Sequence, residues 1–179
     1  SWIEGAYRGG LFLPLVNGED GITVELGRIE KVFDWSRDRC RYEDIPDNPA
    51  RAFINKDGDI ILMATNDQHY IMTGDSLSTV KRFCSHVLPA SIQDPDPSKY
   101  TGYQWLSGFY TFDGETIYSL IHNEFQGDKT RICQHDTYEE CWYNSINFAT
   151  SNNDGRNYIQ PEGDEKLVAS LPYRFDPVV

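Results

Sequence analysis

Positive charge is in short supply in this sequence. Sixteen Lys and Arg stand against twenty-eight Asp and Glu, a formal net charge of −12. A surface of that sign repels phosphate backbones and anionic lipid, which argues against nucleic acid as a partner. No apolar run approaches the roughly 20 residues of a membrane-spanning helix. The four cysteines, Cys40, Cys84, Cys133 and Cys141, lack the CxxC spacing of zinc and thioredoxin sites. No phosphate loop, dinucleotide fingerprint or Ser-His-Asp motif is present. A signal-peptide pattern is also missing, and the chain opens at Ser1 instead of methionine, which fits a processed product or an excerpt.

What is present is aromatic and turn-rich. With 179 residues, of which 39% are hydrophobic, the chain is long enough for one domain with a core. Eleven Tyr, nine Phe and four Trp favour strands over a helical bundle. An even cysteine count at loop-flanking positions predicts two disulfides, Cys133 with Cys141 across a polar loop and Cys40 with Cys84 by elimination. That pairing implies an exported protein, extracellular or periplasmic. The alternative, four buried thiols in a reducing compartment, stays open.

Residues 1–48 form a lead-in. Gly9-Gly10 and Asn17-Gly18 bracket a short apolar segment broken by Pro14, and strands are expected at residues 22–26 and 29–35, where apolar and polar residues alternate. Two prolines in Asp44-Ile45-Pro46-Asp47-Asn48-Pro49 mark a shaped loop.

Two similar units follow, at residues 49–92 and 93–179. In the first, strands are expected from Arg51, from Asp59, from His69 and from Val80, with Lys56-Asp57-Gly58 and Gly74-Asp75 as turns; Ser76 to Arg82 is the only segment with helical character. In the second, strands are expected over 105–112, 116–123 and 142–150, with a long loop at 125–141 and a turn at Asn153-Asp154-Gly155 leading into Arg156. Asp57-Gly58 matches Asp113-Gly114. About nine residues on, each second strand ends in an amide followed by an acid, Asn66-Asp67 and then Asn123-Glu124. Four-stranded meanders repeating every ~40 to 50 residues are the sequence sign of a β-propeller, so the expected fold is all-β with about two blades present. A two-sheet sandwich with two Asp-Gly hairpins is the alternative.

Asp47-Asn48-Pro49-Ala50-Arg51-Ala52-Phe53 ahead of a Lys-Asp-Gly hairpin, with His122-Asn123-Glu124-Phe125 and Cys141-Trp142-Tyr143-Asn144, resembles a group of uncharacterised bacterial proteins related to five-bladed propeller glycosidases of the arabinanase and fructosidase type. Ser151 to Tyr158 is similar to the Asp-box hairpin of sialidases, with Asn153 in place of the acid, Asn157 of the threonine and Tyr158 of the tryptophan. The resemblance covers roughly Asp44 to Pro177. It implies five blades where about two are present, so further blades are expected from the same or another chain.

In a meander, the start of strand one, the end of strand two and the start of strand three share one edge. That edge collects Asp47, Arg51, Asn66, Asp67, His69 and Tyr70 from the first unit. From the second it collects His122, Asn123, Glu124, Trp142, Tyr143 and Asn144. Aromatic faces stack on sugars, amides and Arg51 bond hydroxyls, and two carboxyl groups do the acid and base work of glycoside hydrolysis, so a glycan or oligosaccharide is the expected partner. Asp47 resembles the position where related propeller glycosidases hold a base or nucleophile. Glu124 is the candidate general acid, because a loop-covered edge beside His122 and aromatics favours a protonated carboxyl.

Each residue also has a plainer role. Asp47 caps its own turn, Glu124 pairs with Lys129 or Arg131, His122 is structural, Arg51 neutralises Asp47, and Trp142 covers a disulfide. A non-catalytic glycan-binding or assembly module is therefore the alternative function. No cofactor is expected. The carboxylates of Asp94 and Asp96 are available to a structural calcium ion, although two acids are too few ligands alone.

Overall fold

The structure, a computed structural model, describes residues 29–64, 69–89, 92–135 and 137–175. The chain divides into two compact units, Ser1–Glu30 and Lys31–Val179. The expected strand at 22–26 lies outside the described residues, as do Asn66 and Asp67. The second unit is described below.

It is built from strands. β1 (Arg51–Ile54), β2 (Ile60–Met63), β3 (Ile71–Gly74) and β4 (Lys81–Phe83) form one antiparallel sheet in sequential order. β5 (Tyr103–Thr111), β6 (Ile117–Gln126), β7 (Trp142–Ser151) and β8 (Leu167–Ser170) form a second of the same design. Among the described residues helix is confined to single turns, including α1 (Trp35–Asp38) and α2 (Gly127–Thr130).

Turn chemistry explains the hairpins. Between β1 and β2, the Asn55 side chain accepts from the amides of Asp57 (3.1 Å) and Asp59 (2.8 Å). Between β5 and β6, Asp113 accepts from Glu115 (2.9 Å) and Thr116 (2.8 Å), and these amide donors hold its carboxyl below the usual range. The two hairpin tips touch: Lys56 N–H donates to Gly114 O at 2.9 Å. A Cβ on Gly114 would lie 2.5 Å from that nitrogen, so only glycine permits the contact.

Three expectations need correction. Residues 29–34 carry no strand; Asp34 instead caps α1, accepting from the Ser36 hydroxyl (2.6 Å) and amide (3.1 Å), and these bonds with Lys31 lower its pKa to about 2. Ser76 to Thr79 is a hydrogen-bonded turn, not a helix, with the Thr79 hydroxyl donating to Asp75. The fourth strand of the second sheet is not formed at Arg156. Ile159 makes only an isolated bridge with Thr150, and β8 begins at Leu167 after a 3-10 turn.

The sheets pack face to face. Ile61, Met63 and Ile71 from the first meet Leu106, Ile117, Ile121 and Ala149 from the second, and Val87, Leu88 and Tyr158 complete the layer. Tyr158 is 0% exposed and its amide donates to Val87 O at 2.6 Å. The turn before it is tied by Ser151 Oγ, which accepts from Gly155 N (3.1 Å), and by Asn153 Oδ1, which accepts from Asn157 N (3.0 Å).

Residues 31–48 are fixed to the first sheet by the Cys40–Cys84 disulfide and by an ion pair between Asp44 and Arg82, whose side chains are 1% and 4% exposed, and the Arg82 guanidinium also lies over the Phe33 ring. Asp44 also accepts from the Cys40 amide (3.0 Å), and Arg82 donates to Tyr70 O (3.1 Å). Sequence inspection gave Asp44 no role beyond its loop.

Stability outcomes at two positions follow, all read by chemical denaturation. Asp44→Ala leaves a buried guanidinium without its anion and is expected to cost about 3–5 kcal/mol. Tyr158 carries a buried hydroxyl that has no hydrogen-bond partner among the described residues. Tyr158→Phe is therefore expected to be neutral or to stabilise by about 1 kcal/mol, while Tyr158→Ala opens a cavity and costs about 3–5 kcal/mol.

Candidate functional site

Side chains alternate along β6, and that alternation divides the expected site residues. Ile117, Ser119, Ile121, Asn123 and Phe125 are buried on the inner face, whereas Tyr118, Leu120, His122 and Glu124 point to the outer face. Register places Glu124 between Tyr103 of β5 and Asn144 of β7, and His122 beside Trp105.

Glu124 is only 7% exposed although it lies on the outer face. Its cover comes from the loop between β6 and β7. The Tyr138 hydroxyl donates to Glu124 Oε1, and Gln126 Nε2 donates to the same oxygen at 2.6 Å. The other oxygen, Oε2, faces His122 Nε2 at 4.0 Å. His122 is itself held: Nε2 shares a hydrogen bond with Asn144 Oδ1 at 2.9 Å, and the ring stacks on Trp105 with centroids 5.4 Å apart. Tyr138 stacks on Trp142 at 5.8 Å. Burial, and then the Glu124 carboxylate, push the Tyr138 hydroxyl pKa upward.

The Cys133–Cys141 disulfide closes this loop as expected. The ion pairs considered for Glu124 are not what it makes: Lys129 pairs with Asp128 at 3.2 Å, and the carboxyl is met by neutral donors. Tyr138, Gln126, Tyr103 and Trp105 were not singled out from the sequence. The register of β5 against β6 is the signal that finds Tyr103 and Trp105. No local motif finds Tyr138.

Asn123 is placed elsewhere. It is 1% exposed, on the inner face, and donates to Ser145 Oγ at 3.0 Å. It belongs to a buried amide network in which Gln160 donates to Gln104 (2.9 Å) and Asn147 to Tyr100 O (2.9 Å). Tyr143 is also buried inward, its hydroxyl donating to Tyr173 O at 2.7 Å. Its ring helps line a cavity of about 590 Å³ with Asp96, Tyr100, Arg174 and Phe175. The cavity and the Glu124 carboxyl therefore lie on opposite faces of the same sheet edge. The carboxyl site has the reactive groups and is the better candidate for chemistry.

From the first sheet, Asp47 is exposed in the segment before β1, and Arg51 is exposed at its start, with Nη1 on Ala50 O at 3.0 Å. His69 and Tyr70 are buried, and Tyr70 gives its carbonyl to Arg82. The carboxylates of Asp94 and Asp96 serve as turn acceptors, for Asp96 N (2.8 Å) and Ser98 N (2.9 Å). Among the described residues no group of three or more His, Cys, Asp or Glu is arranged to hold a metal ion.

The inward position of Asn123 gives a measurable outcome. Asn123→Ala deprives Gln104 and Ser145 of a partner and is expected to lower stability by about 1–3 kcal/mol in urea unfolding. Neither a protein-family model nor a curated protein sequence matches the chain.

Proposed function

We propose that this chain is part of a carbohydrate-active β-propeller, exported to an oxidising compartment, in which Glu124 is the general acid of a glycoside hydrolase. The observation that carries the reading is the Glu124 carboxyl itself. It is held at a sheet edge among stacked aromatics, with two donors on one oxygen and the other oxygen turned toward His122. Such a group is oriented to deliver a proton to a leaving-group oxygen. The exposed aromatic faces of Trp142 and Tyr103 are suited to stacking on a sugar ring. Asp47 is assigned the second carboxyl role, as base or nucleophile, on the strength of the motif resemblance alone.

The propeller part of the proposal is supported by repetition. Both sheets are four-stranded antiparallel meanders with hairpins at matching places. The outer face of the second sheet presents Tyr110, Tyr118 and Leu120, exposed apolar groups of the kind another blade would cover. Two disulfides are compatible with an exported protein, and no described helix is long and apolar enough to cross a membrane.

The exposure of Asp47 favours a second reading, a glycan-binding module without turnover. Hydrolysis of arabinofuranoside, fructofuranoside and oligosaccharide substrates separates the two. Glu124→Gln is expected to lower kcat about 10²- to 10⁴-fold while glycan binding persists. Glycan binding by the wild-type chain with no hydrolysis across the panel supports the binding module, and full activity in Glu124→Gln removes Glu124 from the mechanism.

A further inference from the structure

We infer that Tyr138 is a positioning residue for Glu124, seated by the Cys133–Cys141 disulfide, and that it assigns the exchangeable proton of the carboxyl to Oε2. The inference rests on the reading of Glu124 as the acid of the site. A carboxyl has two oxygens, and a protonated one must donate from one of them. Oε1 already accepts from Tyr138 and Gln126, so its lone pairs are committed to donors. Oε2 is the oxygen left to carry a proton, and it lies on the His122 side. The pair of donors thus fixes which edge of the carboxyl meets a substrate.

Tyr138 reaches this position because the loop is pinned beside it. Its carbonyl accepts from the Cys141 amide at 3.0 Å, in the 3-10 turn Glu139–Cys141 that leads into β7. Cys141 is 0% exposed. The disulfide seats against Gly127 of α2, where a Cβ would lie 2.9 Å from Cys141 O and 3.2 Å from Cys133 Cβ. Stacking on Trp142 then sets the plane of the Tyr138 ring. The titratable groups around the pair are His122 on β6, Asp128 on α2 and Tyr103 across from Glu124 on β5, with His135 and Glu140 elsewhere in the loop.

The test uses the 179-residue chain labelled with ¹³C at tyrosine Cζ, with the Tyr138 resonance identified through Tyr138→Phe. In the oxidised protein Tyr138 is expected to stay protonated beyond the ordinary tyrosine range near pH ~10. Glu124→Gln, and separately the double variant Cys133→Ser/Cys141→Ser, are each expected to lower its midpoint by about one unit or more, roughly tenfold in proton affinity. Tyr138→Phe, which keeps the ring, provides a second measurement. It is expected to shift the infrared carboxylate band that Glu124→Gln abolishes. An ordinary Tyr138 titration in the oxidised chain, an unchanged midpoint in the cysteine variant, or an unmoved Glu124 band overturns the inference. None of these signals depends on turnover, so loss of the hydrolase reading through an active Glu124→Gln is a separate result.

Discussion

The apolar layer between the two meanders is the constraint on which everything else depends. Each sheet is only four strands wide, and neither buries both of its faces within itself. Ile61, Met63 and Ile71 become buried because Leu106, Ile117 and Ile121 cover them, and the reverse holds equally. Tyr158, brought into the layer by a turn after β7, fills the space beside Phe53 and Phe109. Once this layer forms, the period of two along each strand decides which residues face the core and which face outward.

The site is a product of that decision at one edge. Glu124 and Asn123 are neighbours in sequence, yet the pleat sends the amide into a closed hydrogen-bond network and the acid to the outer face. An outward carboxyl on a strand is ordinarily solvated. Here the 125–141 loop returns over it with an aromatic hydroxyl, so that burial is supplied by chain from outside the sheet. Scaffold and chemistry are thus divided between the two sides of a single strand.

Much of the architecture is legible in the sequence because it is written in local chemistry. Asp57-Gly58 and Asp113-Gly114 mark hairpins, alternation marks most strands, and the short separation of Cys133 and Cys141 marks their bond. A further sign is in the spacing: Thr73, Asp75, Thr79 and Val80 repeat the spacing of Ser151, Asn153, Asn157 and Tyr158, and each turn follows the third strand of its sheet. Other features depend on distant partners. A bulge between Leu106 and Gly108 reverses the parity of β5, so Gln104 and Phe109 share a face that counting by twos would deny them. Asp44 finds Arg82 across 38 positions, and Tyr138 finds Glu124 through a loop with no regular period. The placement of β8 was missed for a related reason, since a 3-10 turn intervenes before pairing resumes.

The hydrogen bond between Lys56 N–H and Gly114 O ties the two sheets at their hairpin tips, at the edge away from Glu124. The carboxyl stands near the other end of β6, a strand of ten residues. The joint between the sheets and the candidate chemistry are therefore kept a strand's length apart, so the hairpin residues that make the joint are free of any demand from the edge that carries the carboxyl on one face and the cavity on the other.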